Sequence, residues 1–360
     1  KLKRKIMKLF VTGGCGFIGS NFVLETMNSK VKKYEILNFD KITYAGNKSN
    51  LNSIKDLNNY SFVQGDICDE DSVLKTLMDF KPDAVIHFAA ESHVDRSITD
   101  PSTFVNTNIL GTISMLNASI KYLNILKQSY SAFKFIHIST DEVFGSLGNN
   151  GLFNEKTPYD PSSPYSASKA SSDHFVRSWV KTYKFPAIIT NCSNNYGPLQ
   201  FPEKLIPLMI ANCIDRKPLP IYGKGTNIRD WLFVKDHCKA INIVLEKGKI
   251  GETYNIGGGN ELSNIEIVEN ICEIMNEMIP SRKPSENYKN LIINVEDRPG
   301  HDFRYAIDCS KIKRELNWKP LENFKTGLEK TINWYINNET WWRKIQEKSY
   351  NQERLGLIND

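Results

Sequence analysis

The stretch that decides the fold is Val11-Thr12-Gly13-Gly14-Cys15-Gly16-Phe17-Ile18-Gly19-Ser20. An apolar run from Ile6, broken only by Lys8, precedes it, and Asn21-Phe22-Val23-Leu24 follows. The order reads as buried strand, glycine turn, helix. Gly13, Gly16 and Gly19 carry the spacing of a dinucleotide-binding turn. The first permits a tight turn, the second lets backbone approach a pyrophosphate, and the third lets helix and strand pack closely. Amides at the helix start then face the phosphates, aided by the helix dipole. The next apolar strand, Tyr34-Glu35-Ile36-Leu37-Asn38-Phe39, ends in Asp40, about 20 residues past the third glycine, where a ribose-binding carboxylate is expected. Such a carboxylate accepts from a free 2′-hydroxyl and repels a 2′-phosphate. NAD is therefore favoured over NADP, a preference that Lys41 weakens slightly.

Further along, apolar strand candidates alternate with helical segments. The strands are expected at 8–11, 35–39, 61–64, 84–88, 134–139 and 187–191, and the helices at 18–27, 70–80, 105–122 and 165–183. This alternation predicts an α/β fold, a Rossmann-type doubly wound parallel sheet covered on both faces. After Asn195 the pattern changes, with Pro198, Pro202, Pro207, Pro218 and Pro220 close together. A helix over 234–246 and a strand over 252–256 precede Gly257-Gly258-Gly259, and further helices are expected at 264–278, 310–316 and 324–338. We expect an NAD-binding domain over 1–195, with 232–257 packing back onto it. Residues 196–231 and 258–350 would form a smaller, discontinuous C-terminal substrate-binding lobe closing over the carboxyl ends of the strands.

The bulk properties fit that picture. The 360 residues can bury a large core, and 40% hydrophobic with 24% charged residues is ordinary for a globular chain. A formal charge of +5 is mild for this length and does not indicate nucleic-acid binding, though it suits an anionic nucleotide ligand. No apolar run approaches the roughly 20 residues of a membrane span. Seven scattered cysteines lack metal-knuckle spacing and argue against a disulfide framework. The chain is expected to be cytoplasmic, with no metal. The basic opening Lys1-Leu2-Lys3-Arg4-Lys5 is read as an extension ahead of a natural start near Met7.

The chemistry concentrates in Ser163-Pro164-Tyr165-Ser166-Ala167-Ser168-Lys169. Ser163 suits an N-cap and Pro164 the first helical position, which puts Tyr165 and Lys169 one turn apart on one face. An ammonium near a phenol is expected to lower its pKa and make it a general base. The strand Phe135-Ile136-His137-Ile138 ends at Ser139-Thr140-Asp141-Glu142-Val143-Phe144-Gly145, so consecutive polar side chains point toward the cleft. Adjacent acids beside a nicotinamide suit an elimination. Oxidation at a sugar C4 acidifies the C5 proton; one carboxylate removes it while a protonated neighbour assists departure of the C6 hydroxyl.

The glycine turn with Tyr-x-x-x-Lys resembles the extended branch of the short-chain dehydrogenase/reductase superfamily. Ser139-Thr140-Asp141-Glu142-Val143 resembles the signature of the nucleotide-diphosphoglucose 4,6-dehydratases. Further blocks are similar to that family: Ala89 to Ser97, Asn191 to Pro198, Gln200 to Leu205, Arg229-Asp230-Trp231 and Asp297-Arg298-Pro299-Gly300-His301. The matching blocks run from about Lys8 to Trp334.

The resemblance implies NAD as cofactor, a homodimer, and dehydration of dTDP-glucose or UDP-glucose to a 4-keto-6-deoxy sugar, as in rhamnose-type deoxysugar synthesis. By it, Tyr165 would deprotonate the 4-hydroxyl as C4 hydride passes to NAD, and Thr140 would hold the same oxygen. Lys169 would support the tyrosine and bind the nicotinamide ribose. Glu142 would take the C5 proton, Asp141 would protonate the leaving hydroxyl, and hydride would return to C6. The implied cofactor contacts are Gly13, Gly16, Phe17, Ile18, Gly19, Asp40, Lys41, Thr43, Asp66, Ile67, Ala89, Ala90, Ser92, Thr107 and Asn194, with Tyr165 and Lys169. The implied substrate contacts are Ser92, Thr140, Asn195, Glu203, Lys204, Leu205, Pro220, Tyr222, Arg229, Asn264, Arg298 and His301. Of these, Lys204, Arg229, Arg298 and His301 would meet the diphosphate, the arginines in two-point fashion. Cys15 and Phe144 depart from the family's more usual alanine and tyrosine. Two rivals stand beside this reading: a nucleotide-sugar 4-epimerase, which would not need both acids, and a non-catalytic NAD-binding scaffold.

Overall fold

The computed structural model describes residues 6–29, 32–127, 129–280, 286–297 and 299–349. The basic opening, Arg298 and the chain beyond Ser349 lie outside the described residues. The first part runs β1 (Met7–Thr12), α1 (Phe17–Met27), β2 (Tyr34–Asp40), β3 (Tyr60–Gln64), α2 (Glu70–Phe80), β4 (Ala84–His87), α3 (Val94–Thr99), α4 (Pro101–Phe104), α5 (Gly111–Ile125), β5 (Lys134–Thr140), α6 (Pro164–Tyr183) and β6 (Ala187–Cys192). It continues with β7 (Asn194–Tyr196), α7 (Leu205–Asp215), β8 (Leu219–Tyr222), β9 (Ile228–Phe233), α8 (Val234–Lys247) and β10 (Thr253–Ile256). The remainder is β11 (Glu261–Ser263), α9 (Asn264–Met278), β12 (Ile292–Val295), α10 (Ser310–Leu316), α11 (Phe324–Asn337) and α12 (Glu339–Ser349).

Seven parallel strands form one sheet in the order β10-β6-β5-β4-β1-β2-β3. The order reverses between β1 and β4, and the cleft of such a sheet opens at that switch point, beyond the carboxyl ends of the strands. One face is filled by Phe22, Val23, Ile241, Val244 and Ile312 from α1, α8 and α10. The other is filled by Val73, Leu77, Met115, Leu116 and Val176 from α2, α5 and α6. Burial on both faces is why the strands inside the edge strand β3 read as apolar runs. β10 pairs with β6, and α8 packs on α1.

A separate core gathers Ile206, Met209, Ile210, Ile267, Ile271, Leu328 and Ile332 from α7, α9 and α11. Around it lie a three-stranded sheet, β11-β9-β7, and the pair β12-β8. Three- to six-residue strands among prolines offer no alternation to detect, so these elements escaped the sequence reading.

One helix differs from expectation. The segment read as continuous over 105–122 opens with a π-helical turn, Val105–Leu110, before α5. Asn108 supplies the reason. Its side chain accepts from Glu91 N at 2.8 Å and donates to Glu91 O at 3.0 Å, while its carbonyl accepts the hydroxyls of Thr112 and Ser172. Side-chain bonds thus compete with the regular ladder, as π turns at functional sites commonly show.

Candidate active site

The site starts at the glycine turn. Gly13 has φ +70°, and a Cβ there would lie 2.6 Å from Ala89 N, where β1 meets the loop after β4. A Cβ on Gly19 would lie 2.2 Å from Gly13 O, so α1 starts directly against the turn. At Gly16 the Cβ direction meets only Gly13 O, at 3.3 Å, leaving backbone open to a ligand. No side chain caps α1, and its first amides face the cleft. At the end of β2, Asp40 accepts from Cys15 N and Ile42 N, each at 2.8 Å. Burial pushes this carboxyl up, and the two amides oppose the rise. Lys41 pairs with Asp66 at 2.7 Å, which raises the lysine.

The reactive side chains come from β5 and α6. Thr140 ends β5, and its Oγ1 accepts from Glu142 N at 3.2 Å, capping a short 3-10 turn, Asp141–Phe144. That cap is why a threonine followed by two acids ends the strand cleanly. α6 opens with Pro164 and a capping box between Ser163 and Ser166, setting the phase that brings Tyr165 and Lys169 inward. Lys169 donates to Ile138 O at 2.8 Å. Burial lowers its pKa, and Asp173 opposes this. Burial, Glu142 and Asp230 push Asp141 well above the carboxylate range, which favours its protonated form. Tyr165 is likewise pushed well above the phenol range by burial, then by Glu142. The lowering expected from Lys169 does not prevail, because burial dominates and Glu142 adds to it; the Thr140 hydroxyl pulls downward.

Two adjoining cavities hold these groups. One, of about 420 Å³, is lined by Gly13, Gly16, Phe17, Ile18, Gly19, Asp40, Lys41, Thr43, Asp66, Ile67, Ala89, Ala90, Thr107, Thr140, Asp141, Tyr165 and Lys169. The other, of about 320 Å³, is lined by Leu205, Pro220, Tyr222, Arg229, Asn264 and His301. Ser92, Glu142, Asn194, Asn195, Glu203 and Lys204 line both, so the two form one continuous cleft. Arg298 is the one implied contact outside the described residues. Among the described residues no cluster of His, Cys, Asp and Glu could hold a metal.

The residues fit a dinucleotide. A glycine turn backed by an uncapped helix faces an acid at the end of β2. At the opposite end of the same cavity, Asn194 Oδ1 is buried without a hydrogen-bond partner, an acceptor suited to an amide donor. On the other side, the buried Trp231 Nε1 is equally unpartnered.

Several implied contacts already have protein partners. The Arg96 guanidinium grips Glu203 Oε2 at 3.1 and 3.0 Å, and Tyr44 OH donates to Oε1 at 3.0 Å. Lys204 donates to Ser92 O at 3.1 Å, and His301 pairs with Asp297 at 2.7 Å. Arg229 lies over the Tyr305 ring at 4.2 Å and donates to Ile228 O and Asp302 O. Phe144 is buried, stacked on Phe153 at 5.2 Å.

Sequence reasoning passed over Tyr44, Arg96, Asn108 and Asp173. Asp173 is fully buried one turn past Lys169 and accepts from Ser139 Oγ (2.9 Å), Tyr159 OH (2.8 Å) and Asn191 Nδ2 (3.2 Å). Asn191 also holds Thr140 O at 3.0 Å, so Asp173 anchors the strand end that presents the acids. Its spacing from Lys169, on the same face, was the available signal.

Fold and site together define an extended short-chain dehydrogenase/reductase. Within that class the chain belongs to the GDP-mannose 4,6 dehydratase family, whose profile matches residues 10–331. It is 53% identical to dTDP-glucose 4,6-dehydratase of Neisseria meningitidis serogroup B, over 97% of this chain and 99% of that protein. It is likewise 53% identical to that of Escherichia coli, over 98% and 100%. A solved structure of dTDP-glucose 4,6-dehydratase from Streptomyces venezuelae with NAD bound superposes with a TM-score of 0.86. That match is 42% identical and covers 94% of this chain and 100% of the other.

Proposed function

We propose that this chain dehydrates dTDP-glucose to dTDP-4-keto-6-deoxyglucose with NAD as a resident cofactor. The observation that carries the reading is the buried Asp141 next to Glu142, in the same cavity as Tyr165 and Lys169. The dehydratase names of relatives at about half identity support it.

In this reading Tyr165 takes the 4-hydroxyl proton, with the Thr140 hydroxyl on the same oxygen. NAD, held by the glycine turn and Asp40, would supply a hydride acceptor for C4 and a hydride donor for C6, and its oxidised ring would add positive charge near Tyr165. Glu142 removes the C5 proton and gives a proton back to C5 when hydride arrives at C6. Asp141 gives its proton to the C6 hydroxyl, which leaves as water. Asp40 binds the adenosine ribose, and the turn at Gly13, Gly16 and Gly19 binds the pyrophosphate. The lobe built on α7, α9 and α11 receives the thymidine diphosphate, with Arg229, Lys204 and His301 at its phosphates, whereas α10, expected in that lobe, packs on the first sheet through Ile312 and Leu316. The product suits rhamnose-type deoxysugar synthesis in the cytoplasm. Val105 and Leu110, 45% and 52% exposed in the π-helical turn just before α5, support a homodimer through α5 and α6, which light scattering would show.

Incubation with dTDP-glucose tests the reaction. The expected product is lighter by one water and absorbs in alkali as a 4-keto sugar. An unchanged mass with an altered sugar would establish the epimerase reading instead. Faster turnover of UDP-glucose would overturn the choice of nucleotide.

A further inference from the structure

The C-terminal helix has an arrangement that the reaction itself does not use. Trp341, on α12, donates its indole N–H to Asn50 Oδ1 at 2.8 Å. Asn50 is buried and turns its amide nitrogen the other way, donating to Cys15 O and Ser20 Oγ, both at 3.1 Å. Cys15 and Ser20 are the inward-facing members of the glycine turn and are themselves buried. Gly13, Gly16, Phe17, Ile18 and Gly19 line the cavity on the opposite side. Asn50 therefore braces the turn from behind, and Trp341 fixes Asn50. Cys15 O also accepts from Asn47 N at 2.9 Å, so the loop after β2 and the turn share one carbonyl.

α12 is itself held from the lobe. Trp342 is fully buried and donates to Tyr335 O at 3.0 Å, and Arg343 pairs with Asp215 at 2.7 Å. The Trp341 ring lies edge-on to Trp334, at 5.1 Å between centroids. Trp341 and Ile345 also pack with Phe201, Tyr44 and Ala45, the last two on the loop after β2. The helix thus ties the second core to the back of the phosphate-binding turn.

We propose that Asn50 and Trp341 are positioning residues that hold the turn in its binding shape, and so set how long the cofactor stays. The inference rests on NAD occupying the glycine turn. A cofactor restored to its starting state in each cycle has no need to exchange, so a brace that slows its departure costs no turnover.

The test compares the full-length wild type with Trp341→Phe, which keeps the ring and removes only the N–H. NAD release is followed after dilution into an NAD-consuming scavenger, with backbone amide exchange of residues 14–20 as a second measurement. Losing one buried hydrogen bond should speed release about five-fold. Asn50→Ala, which loses three, should speed it more. Exchange over 14–20 should rise in both, while Trp341→Phe lowers kcat at saturating NAD and sugar less than two-fold. A purely structural role would lower melting temperature and kcat together, and that result would overturn the proposal. So would unchanged release and unchanged exchange in Trp341→Phe. A wild type that binds no NAD would overturn the cofactor reading, and the brace with it.

Discussion

The two ends of the cleft are built on opposite principles. At the glycine-turn end the charged groups are already answered by protein: Asp40 by two amides and Lys41 by Asp66. At the reactive end, Asp141 Oδ2 and Asn194 Oδ1 are buried without partners, and Asp141 and Tyr165 are driven far from their usual proton affinities. A binding end gains from groups fixed in advance, since little order is lost when the ligand arrives. A reactive end must instead hold groups in states that water would not favour, and that costs stability.

The difference can be broken most severely at the reactive end. Tyr165→Phe should lower turnover roughly 10³-fold, with no nicotinamide reduction seen in a single turnover. Glu142→Gln should lose a similar factor but accumulate reduced nicotinamide, measured by its absorbance, because oxidation precedes elimination. Complete dehydration by Glu142→Gln would overturn the assignment of roles. At the glycine-turn end the effect should be smaller. Asp40→Ala removes a charged acceptor from two amides and should weaken NAD binding roughly 10- to 100-fold by calorimetry, with little change in kcat at saturation.

Stability should move in the reverse sense. Asp141 has a raised folded pKa, so the folded state keeps a proton that the unfolded chain releases above its ordinary value. Folding is therefore penalised as pH rises. Asp141→Asn removes that penalty, and its melting temperature should exceed the wild type's by more at pH 8 than at pH 5. The buried His137 and His237 act oppositely. Burial depresses them to about 4 and about 3, so the stability they contribute is present above about 6.5 and fades as pH falls. His87 is buried and lowered in the same way, so unfolding free energies from denaturant titrations between pH 7 and pH 4 should decline at up to about 1.4 kcal/mol per pH unit for each of the three protons taken up.

What was legible in the sequence follows from the same physics. The sheet could be read because its central strands are buried on both faces and Gly13 and Gly19 are forced by close approaches. The acids after β5 could be read because three polar residues in succession at a buried strand end have few other uses. Arg96 and Tyr44 could not be read in their roles, because they meet Glu203 across long stretches of chain and leave no local period. The expected acidity of Tyr165 failed for a related reason: spacing placed Lys169 beside it, but only the fold shows how deeply the phenol is buried, with Glu142 adding to the rise. The short strands of the second lobe carry no signal of their own, since packing on α7, α9 and α11 makes them strands.

The return of α8 and β10 to the first sheet has a consequence for synthesis. β6 stays an open edge until residue 256 has left the ribosome, and about 40 residues of the second lobe are made before β10 can cover it. An uncovered parallel edge invites pairing with other chains. The nascent protein is thus most exposed to misassembly late in translation, with its glycine turn already formed and its last sheet strand still missing.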